Sequence, residues 1–136
     1  MYLRGMLKSI VILGSILICF STFSQQDVSV KRKWQGIYGG HLPAYRLNTG
    51  NELIDVDSDS ITIVIASKNF QLSLGLFSYS GEYVSVIRNK KILSIEGHIE
   101  GRTLNEYFII NRKKQQIIRT GIVPQPNALL KKLRKK

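Results

Sequence analysis

From residue 34 onward the chain alternates short apolar runs with turn-forming residues. Ile61-Thr62-Ile63-Val64-Ile65 puts three isoleucines on one face, and Phe70-Gln71-Leu72-Ser73-Leu74 repeats the alternation with polar residues facing away. Side chains of an extended chain point to opposite faces in turn, so this period of two predicts half-buried strands of an antiparallel sheet. The same reading predicts strands at Trp34-Gln35-Gly36-Ile37-Tyr38 and, after a turn at Asn48-Thr49-Gly50-Asn51, at Leu53-Ile54-Asp55-Val56. Two hairpins follow. Tyr83–Ile87 and Ile92–Ile95 flank Asn89-Lys90-Lys91, and Leu104–Ile110 and Gln116–Arg119 flank Arg112-Lys113-Lys114. Gly75, Gly81, Gly97 and Gly101 fall between or at the ends of these runs, where bends and positive φ are useful. About eight short strands and no long amphipathic helix predict an all-β fold, a small antiparallel up-and-down barrel or a sandwich. Closing the sheet would leave no exposed strand edge. An eight-stranded barrel is either filled by its own side chains or holds one small ligand.

The two ends of the chain differ from this middle. Arg4 and Lys8 are followed by an apolar stretch from Ile10 to Phe20, and polarity returns at Ser21. A basic start and a short apolar run are the layout of a cleavable export signal, and the run is short for a membrane-spanning helix. Thr22 and Ser24 are the small residues that place the cut before Gln25, within one residue, and Met6 offers an alternative start. Lipidation of Cys19, which follows Ile18 where a small residue is required, and retention as an uncleaved anchor are the competing readings. The expected organisation is a leader over 1–24, a polar lead-in over 25–33, a β domain over 34–122 and a basic amphipathic tail over 123–136. Cys19 is the single cysteine, so the exported domain would carry no disulfide and would depend on its core. The expected location is the periplasm or the cell exterior, with envelope association as an extension of it.

Charge is uneven along the chain. The formal net charge is +11. Residues 25–110 hold nine basic and nine acidic residues, whereas 111–136 hold nine basic and no acidic residue. The C-terminal Asn127-Ala128-Leu129-Leu130-Lys131-Lys132-Leu133-Arg134-Lys135-Lys136 reads as a short helix capped by Asn127, with Leu129, Leu130 and Leu133 on one face. Its cations suit an anionic membrane surface, an envelope polysaccharide or an acidic partner; the alternative is a frayed, solubilising tail. Nucleic acid is not an expected partner, because the tail offers no aromatic residue for base stacking.

Trp34-Gln35-Gly36-Ile37-Tyr38 resembles the Gly/Trp first strand of lipocalin-like barrels, with the order altered: Gly36 follows Trp34 by two positions where the family places Gly two before Trp. The resemblance covers five residues. It implies a small barrel closed at one end by the Trp.

Candidate chemistries are few. Asp55, Asp57 and Asp59 have the opening spacing of a calcium loop, but Ser60 and Ala66 stand where that loop needs Gly and Glu, so a polar turn is expected. Glu96, His98 and Glu100 alternate on one strand face as a possible acid–base cluster, or as a solvated strand end. No Gly-x-Ser-x-Gly elbow and no Walker-type loop is present. Neither catalysis nor a cofactor or metal is therefore expected. The function expected is an exported binding protein that engages another protein through barrel loops, as an inhibitor or immunity factor would. The alternatives are a lipocalin-like carrier of a small apolar ligand and an envelope-associated structural protein. The candidate contact residues are Tyr79 and Tyr83, read as flanking a turn at Ser80-Gly81-Glu82, and Lys131, Lys132, Arg134 and Lys135 in the tail.

Overall fold

The computed structural model describes residues 28–134. The leader, its cut site, Cys19, Gln25 and Lys135 lie outside the described residues. A single 3-10 turn, Arg32–Trp34, precedes ten strands: β1 Gly36–Leu42, β2 Tyr45–Asn48, β3 Leu53–Val56, β4 Asp59–Ile65, β5 Asn69–Leu74, β6 Phe77–Asn89, β7 Ile92–Ile99, β8 Glu106–Asn111, β9 Gln116–Thr120 and β10 Ala128–Lys132. Eight of them form a closed barrel in the order β1-β10-β9-β8-β7-β6-β5-β4, and β2 and β3 form a separate hairpin. Every barrel pair is antiparallel and joins consecutive barrel strands, with β10 returning to β1. This is an up-and-down barrel; the sandwich alternative does not apply.

Alternation explains the strands. Ile61, Ile63 and Ile65 of β4 point inward and are buried, as are Phe70 and Leu72 of β5, Leu93 and Ile95 of β7, and Phe108 and Ile110 of β8. Phe70 sits at the centre, edge-on to Phe108 at 5.2 Å between centroids and stacked on Tyr83 at 5.9 Å. Gly81 and Gly97 lie within β6 and β7 beneath its ring: a Cβ at either would collide with Phe70. These two glycines make room for the ring, whereas Gly75 and Gly101 occupy turns with φ of 56° and 85°. The core is continuous from Val30 and Trp34 to Leu130, and both the ring of strands and this core are complete within the described residues.

The C-terminal helix expected from the sequence is replaced by β10. Leu130 is inward and buried while its neighbour Leu129 is outward and exposed, which is the side-chain pattern of a strand. Leu129 pairs with Ile118 and Leu130 with Ile117 on β9, and Gly40 of β1 pairs with Leu130 on the other side. An isolated helix of this length would be marginal, and without this strand the sheet could not close. Asn127 is no helix cap: its Oδ1 accepts a hydrogen bond from the Gly121 amide at 2.9 Å and braces the loop before β10. The domain therefore continues through Lys132 instead of ending at residue 122. Leu53–Val56, expected in the main sheet, lies instead in the outlying hairpin, paired with Tyr45–Asn48.

A meander sends alternate connections to the same end of the barrel. The 3-10 turn, the β4–β5, β6–β7 and β8–β9 turns and the end of β10 share one end. The β2–β3 hairpin, the β5–β6 turn, and the β7–β8 and β9–β10 loops share the other.

Candidate functional site

The first end is built from cations. Lys31, Arg32 and Lys33 enter it with the 3-10 turn, Lys68 with the β4–β5 turn, Arg88, Lys90 and Lys91 with the β6–β7 hairpin, Arg112, Lys113 and Lys114 with the β8–β9 hairpin, and Lys131, Lys132 and Arg134 with the end of β10. No Asp or Glu lies in these segments. Lys90 and Gln115 close the two hairpins with positive φ, 55° and 54°. Convergence across segments is visible at Lys33. Its pKa is lowered, first by loss of surrounding water and then by the charges of Arg88, Arg112 and Lys31.

The floor of this end is buried and hydrogen-bonded. Trp34 is buried beneath the barrel, with its carbonyl accepting the Tyr38 hydroxyl at 3.2 Å. The Val30 amide donates to the Ser67 carbonyl at 2.7 Å, and the Gln35 side-chain amide donates to the Val30 carbonyl at 2.9 Å. The C-terminal segment is stitched across the same end. The Lys132 amide donates to Gln115 at 2.8 Å and the Leu133 amide to Ile37 at 2.7 Å. Between these parts runs an open groove of about 1440 Å³ lined by Arg32, Lys114, Lys131, Lys132 and Arg134, with Val64 and Ile65 on its wall. The Lys132 stem lies against Gly36, where a Cβ would stand 2.6 Å from its Cε, and its ammonium is 5.9 Å from the Tyr38 ring centroid. Guanidinium forks and ammonium groups on a fixed frame bind phosphate, sulfate or carboxylate oxygens by charge-assisted hydrogen bonds.

The opposite end holds Glu106 and Asp55 with their arginine partners. Glu106 and Arg119 are both 1% exposed; Arg119 donates from Nε to Oε2 and from Nη2 to Oε1, each at 2.9 Å. Arg102 donates to the same Oε1 at 3.2 Å, and its guanidinium stacks 4.3 Å from the Tyr79 ring centroid. Gln125 accepts from Arg119 Nη1 at 3.2 Å. Arg46 of β2 pairs with Asp55 of β3 at 2.8 Å. The three arginines at this end are thus engaged by carboxylates of the same end.

The candidate residues read from the sequence divide accordingly. Lys131, Lys132 and Arg134 come together at the groove. Tyr83 is not an exposed anchor: it is 8% exposed, and its hydroxyl lies 2.8 Å from both the Ala66 and Asn69 carbonyls, which share its one hydrogen. Burial pushes its pKa up. Tyr79 is half-buried under Arg102. Both belong to β6, because Ser80-Gly81-Glu82 is mid-strand and paired with β5 instead of forming a turn. Asp55 is held by Arg46, and the Asp59 carboxylate accepts the Ser60 amide at 2.8 Å. Glu96 and His98 are linked indirectly: Asn105 bonds Nδ1 of His98 at 2.9 Å and donates to Glu96 at 2.8 Å, while Tyr107 donates to the same Glu96 oxygen at 3.1 Å. That bond and the Glu96 charge raise the Tyr107 pKa. His98 and Glu100 border a shallow cleft of about 560 Å³ with Glu82, the cross-strand neighbour of His98. Among the described residues no three His, Cys, Asp or Glu side chains gather as a metal site requires.

The sequence reading missed the contribution of the other turns to the basic end. The signal was present: in a meander every second connection shares an end, and the basic clusters occupy alternate connections. Comparison with protein-family models, with curated proteins and with solved structures found no match in any of the three.

Proposed function

We propose that the protein is an exported, non-catalytic binding module that grips an anionic partner with the basic end of its barrel. The observation that carries this reading is the distribution of charge: cations of the 3-10 turn, the β6–β7 and β8–β9 hairpins and the end of β10 meet at one end, while Arg46, Arg102 and Arg119 at the other end are paired with carboxylates. A cluster of like charge on a rigid frame raises the local concentration of oppositely charged ligands. Export rests on the leader. A protein partner reached through loop tyrosines has lost its anchors, since Tyr83 is in the core and Tyr79 lies under Arg102. An acidic protein face remains within the class of partners that the basic end suits. The carrier alternative draws no support from the interior, where Phe70, Tyr83 and Phe108 pack against one another.

The test is retention on immobilised heparin under a salt gradient. The triple variant Arg112→Gln, Lys113→Gln, Lys114→Gln should elute at distinctly lower salt than the parent chain, and Arg46→Gln at the far end should elute with the parent. Equal elution of the triple variant and the parent sinks the proposal.

A further inference from the structure

The barrel wall above the basic turns is apolar on its outer face. Going round the barrel, Leu129 of β10 is paired with Ile118 of β9, Ile118 with Ile109 of β8, Ile109 with Ser94 of β7 and Ser94 with Ile87 of β6. All of these point outward. Leu129 is 51% exposed, Ile118 45%, Ile109 41% and Ile87 63%. Cross-strand partners stand close together, about 4.5–5.5 Å between Cβ atoms, so the four aliphatic side chains form one stripe across five adjacent strands, interrupted only by Ser94. Ile92, also exposed, extends it diagonally toward the β6–β7 turn. An outward strand residue buries little area in the fold, and an exposed run of aliphatics on a charged protein marks a contact surface.

What covers this stripe is indicated by its border. On four of the five strands an apolar residue stands within three positions of a cation of the basic end: Ile87 next to Arg88, Ile92 next to Lys91, Ile109 before Arg112, Leu129 before Lys131. On β9, Ile118 is approached through Gln116, beside the Arg112–Lys114 turn. A second copy laid stripe to stripe in the same sense would bring the two cationic ends together. A surface that is negative at its rim and apolar beneath satisfies both parts at once, and that is the headgroup and acyl boundary of an anionic bilayer. Resting on the reading of the basic end given above, we infer that this face docks on an anionic lipid leaflet, with Ile109, Ile118 and Leu129 of the adjacent strands β8, β9 and β10 entering the interface and the basic turns contacting lipid phosphates.

The test uses a chain beginning at Gln25, which keeps the whole barrel and its core but leaves out the apolar leader. Binding is measured by co-sedimentation with vesicles of phosphatidylcholine, alone or mixed in equal parts with phosphatidylglycerol, and by heparin retention in parallel. Binding to the mixed vesicles and not to pure phosphatidylcholine is expected. The double variant Ile109→Thr, Ile118→Thr keeps β-branched residues at both positions. It should bind the mixed vesicles about tenfold more weakly, given the loss of apolar groups from the interface, with heparin retention unchanged. Ser94→Leu fills the gap in the stripe and should tighten vesicle binding roughly fivefold, a gain that a damaged fold would not give. Vesicle binding that ignores both variants, or that is equal on neutral lipid, overturns the inference and leaves the basic-end proposal standing if heparin retention persists. Absence of charge-dependent retention on heparin overturns both.

Discussion

Glu106 and Arg119 are the buried charged side chains among the described residues, and their geometry accounts for how the barrel tolerates them. The guanidinium meets the carboxylate as a fork with two bonds of 2.9 Å, Arg102 gives the carboxylate a third bond through Oε1, and Gln125 accepts one of the remaining guanidinium hydrogens. Removing one partner would leave the other charge buried and unmatched. Glu106→Leu should therefore destabilise the barrel by about 3–5 kcal/mol, read as a shift of the urea midpoint monitored by Trp34 fluorescence. The double variant Glu106→Leu, Arg119→Met should recover a large part of that loss, because replacing both charges with apolar groups removes the desolvation cost as well as the attraction. A double variant no better than Glu106→Leu alone would show that the pair contributes through something other than matched charge. The face of each residue was readable in the sequence: Arg119 alternates with Ile117, and Glu106 with Phe108. Their pairing was not, because alternation assigns a face to a residue and leaves its cross-strand neighbour open. Tyr83 was misread for a related reason. Ser80-Gly81 has the composition of a turn, but the glycine serves the Phe70 ring in the middle of β6, and nothing local in the sequence distinguishes those two uses.

At the scale of elements, clean alternation identified the strands well. β4 and β5 lie where Ile61–Ile65 and Phe70–Leu74 predicted them, and the turns after Asn89 and Asn111 fall at Lys90-Lys91 and Arg112-Lys113-Lys114. β10 was lost because Leu129 and Leu130 are adjacent: a helix puts neighbouring apolar residues near one face, while a strand puts one of them outside. The exposed Leu129 belongs to the stripe, so an apolar outward position hid the period of two. The two leucines now carry a sharp contrast. Leu130→Ala removes a fully buried side chain and should cost about 2–5 kcal/mol, whereas Leu129→Ala on the outer face should stay within about 0.5 kcal/mol. Comparable losses at both positions, measured by urea unfolding, would contradict the strand and restore the amphipathic helix. The same geometry means that deleting residues 127–136 removes a barrel strand instead of a tail, so the role of the cations is better examined by substitution.

For the whole molecule, the chain concentrates like charge at one end, and this arrangement works against folding. Lys33 shows the local sign: its pKa in the folded protein is held below the ordinary lysine value, first by loss of water and then by Arg88, Arg112 and Lys31. A base with a lowered folded pKa binds its proton less tightly in the native state than in the unfolded chain. Its charging therefore opposes folding at neutral pH, and the opposition fades as pH rises through the folded and then the unfolded value. Crowding of like charges at this end is a repulsion that the unfolded chain, with the segments apart, does not carry. Screening weakens such repulsion once the Debye length falls to about 10 Å, near 0.1 M salt. The melting temperature should accordingly rise as sodium chloride is added from low ionic strength. A polyanion should raise it further, because a ligand that binds the native state alone stabilises it by about 2.7 kcal/mol at a hundredfold excess over Kd. The Arg112→Gln, Lys113→Gln, Lys114→Gln variant separates the two effects. At low salt it should melt above the parent chain, since repulsion is relieved, yet with heparin present it should gain less. Melting curves that are flat with salt in the parent, and equal heparin-induced gains in parent and variant, would mean that the basic end is neither strained by its own charge nor the place where anions bind.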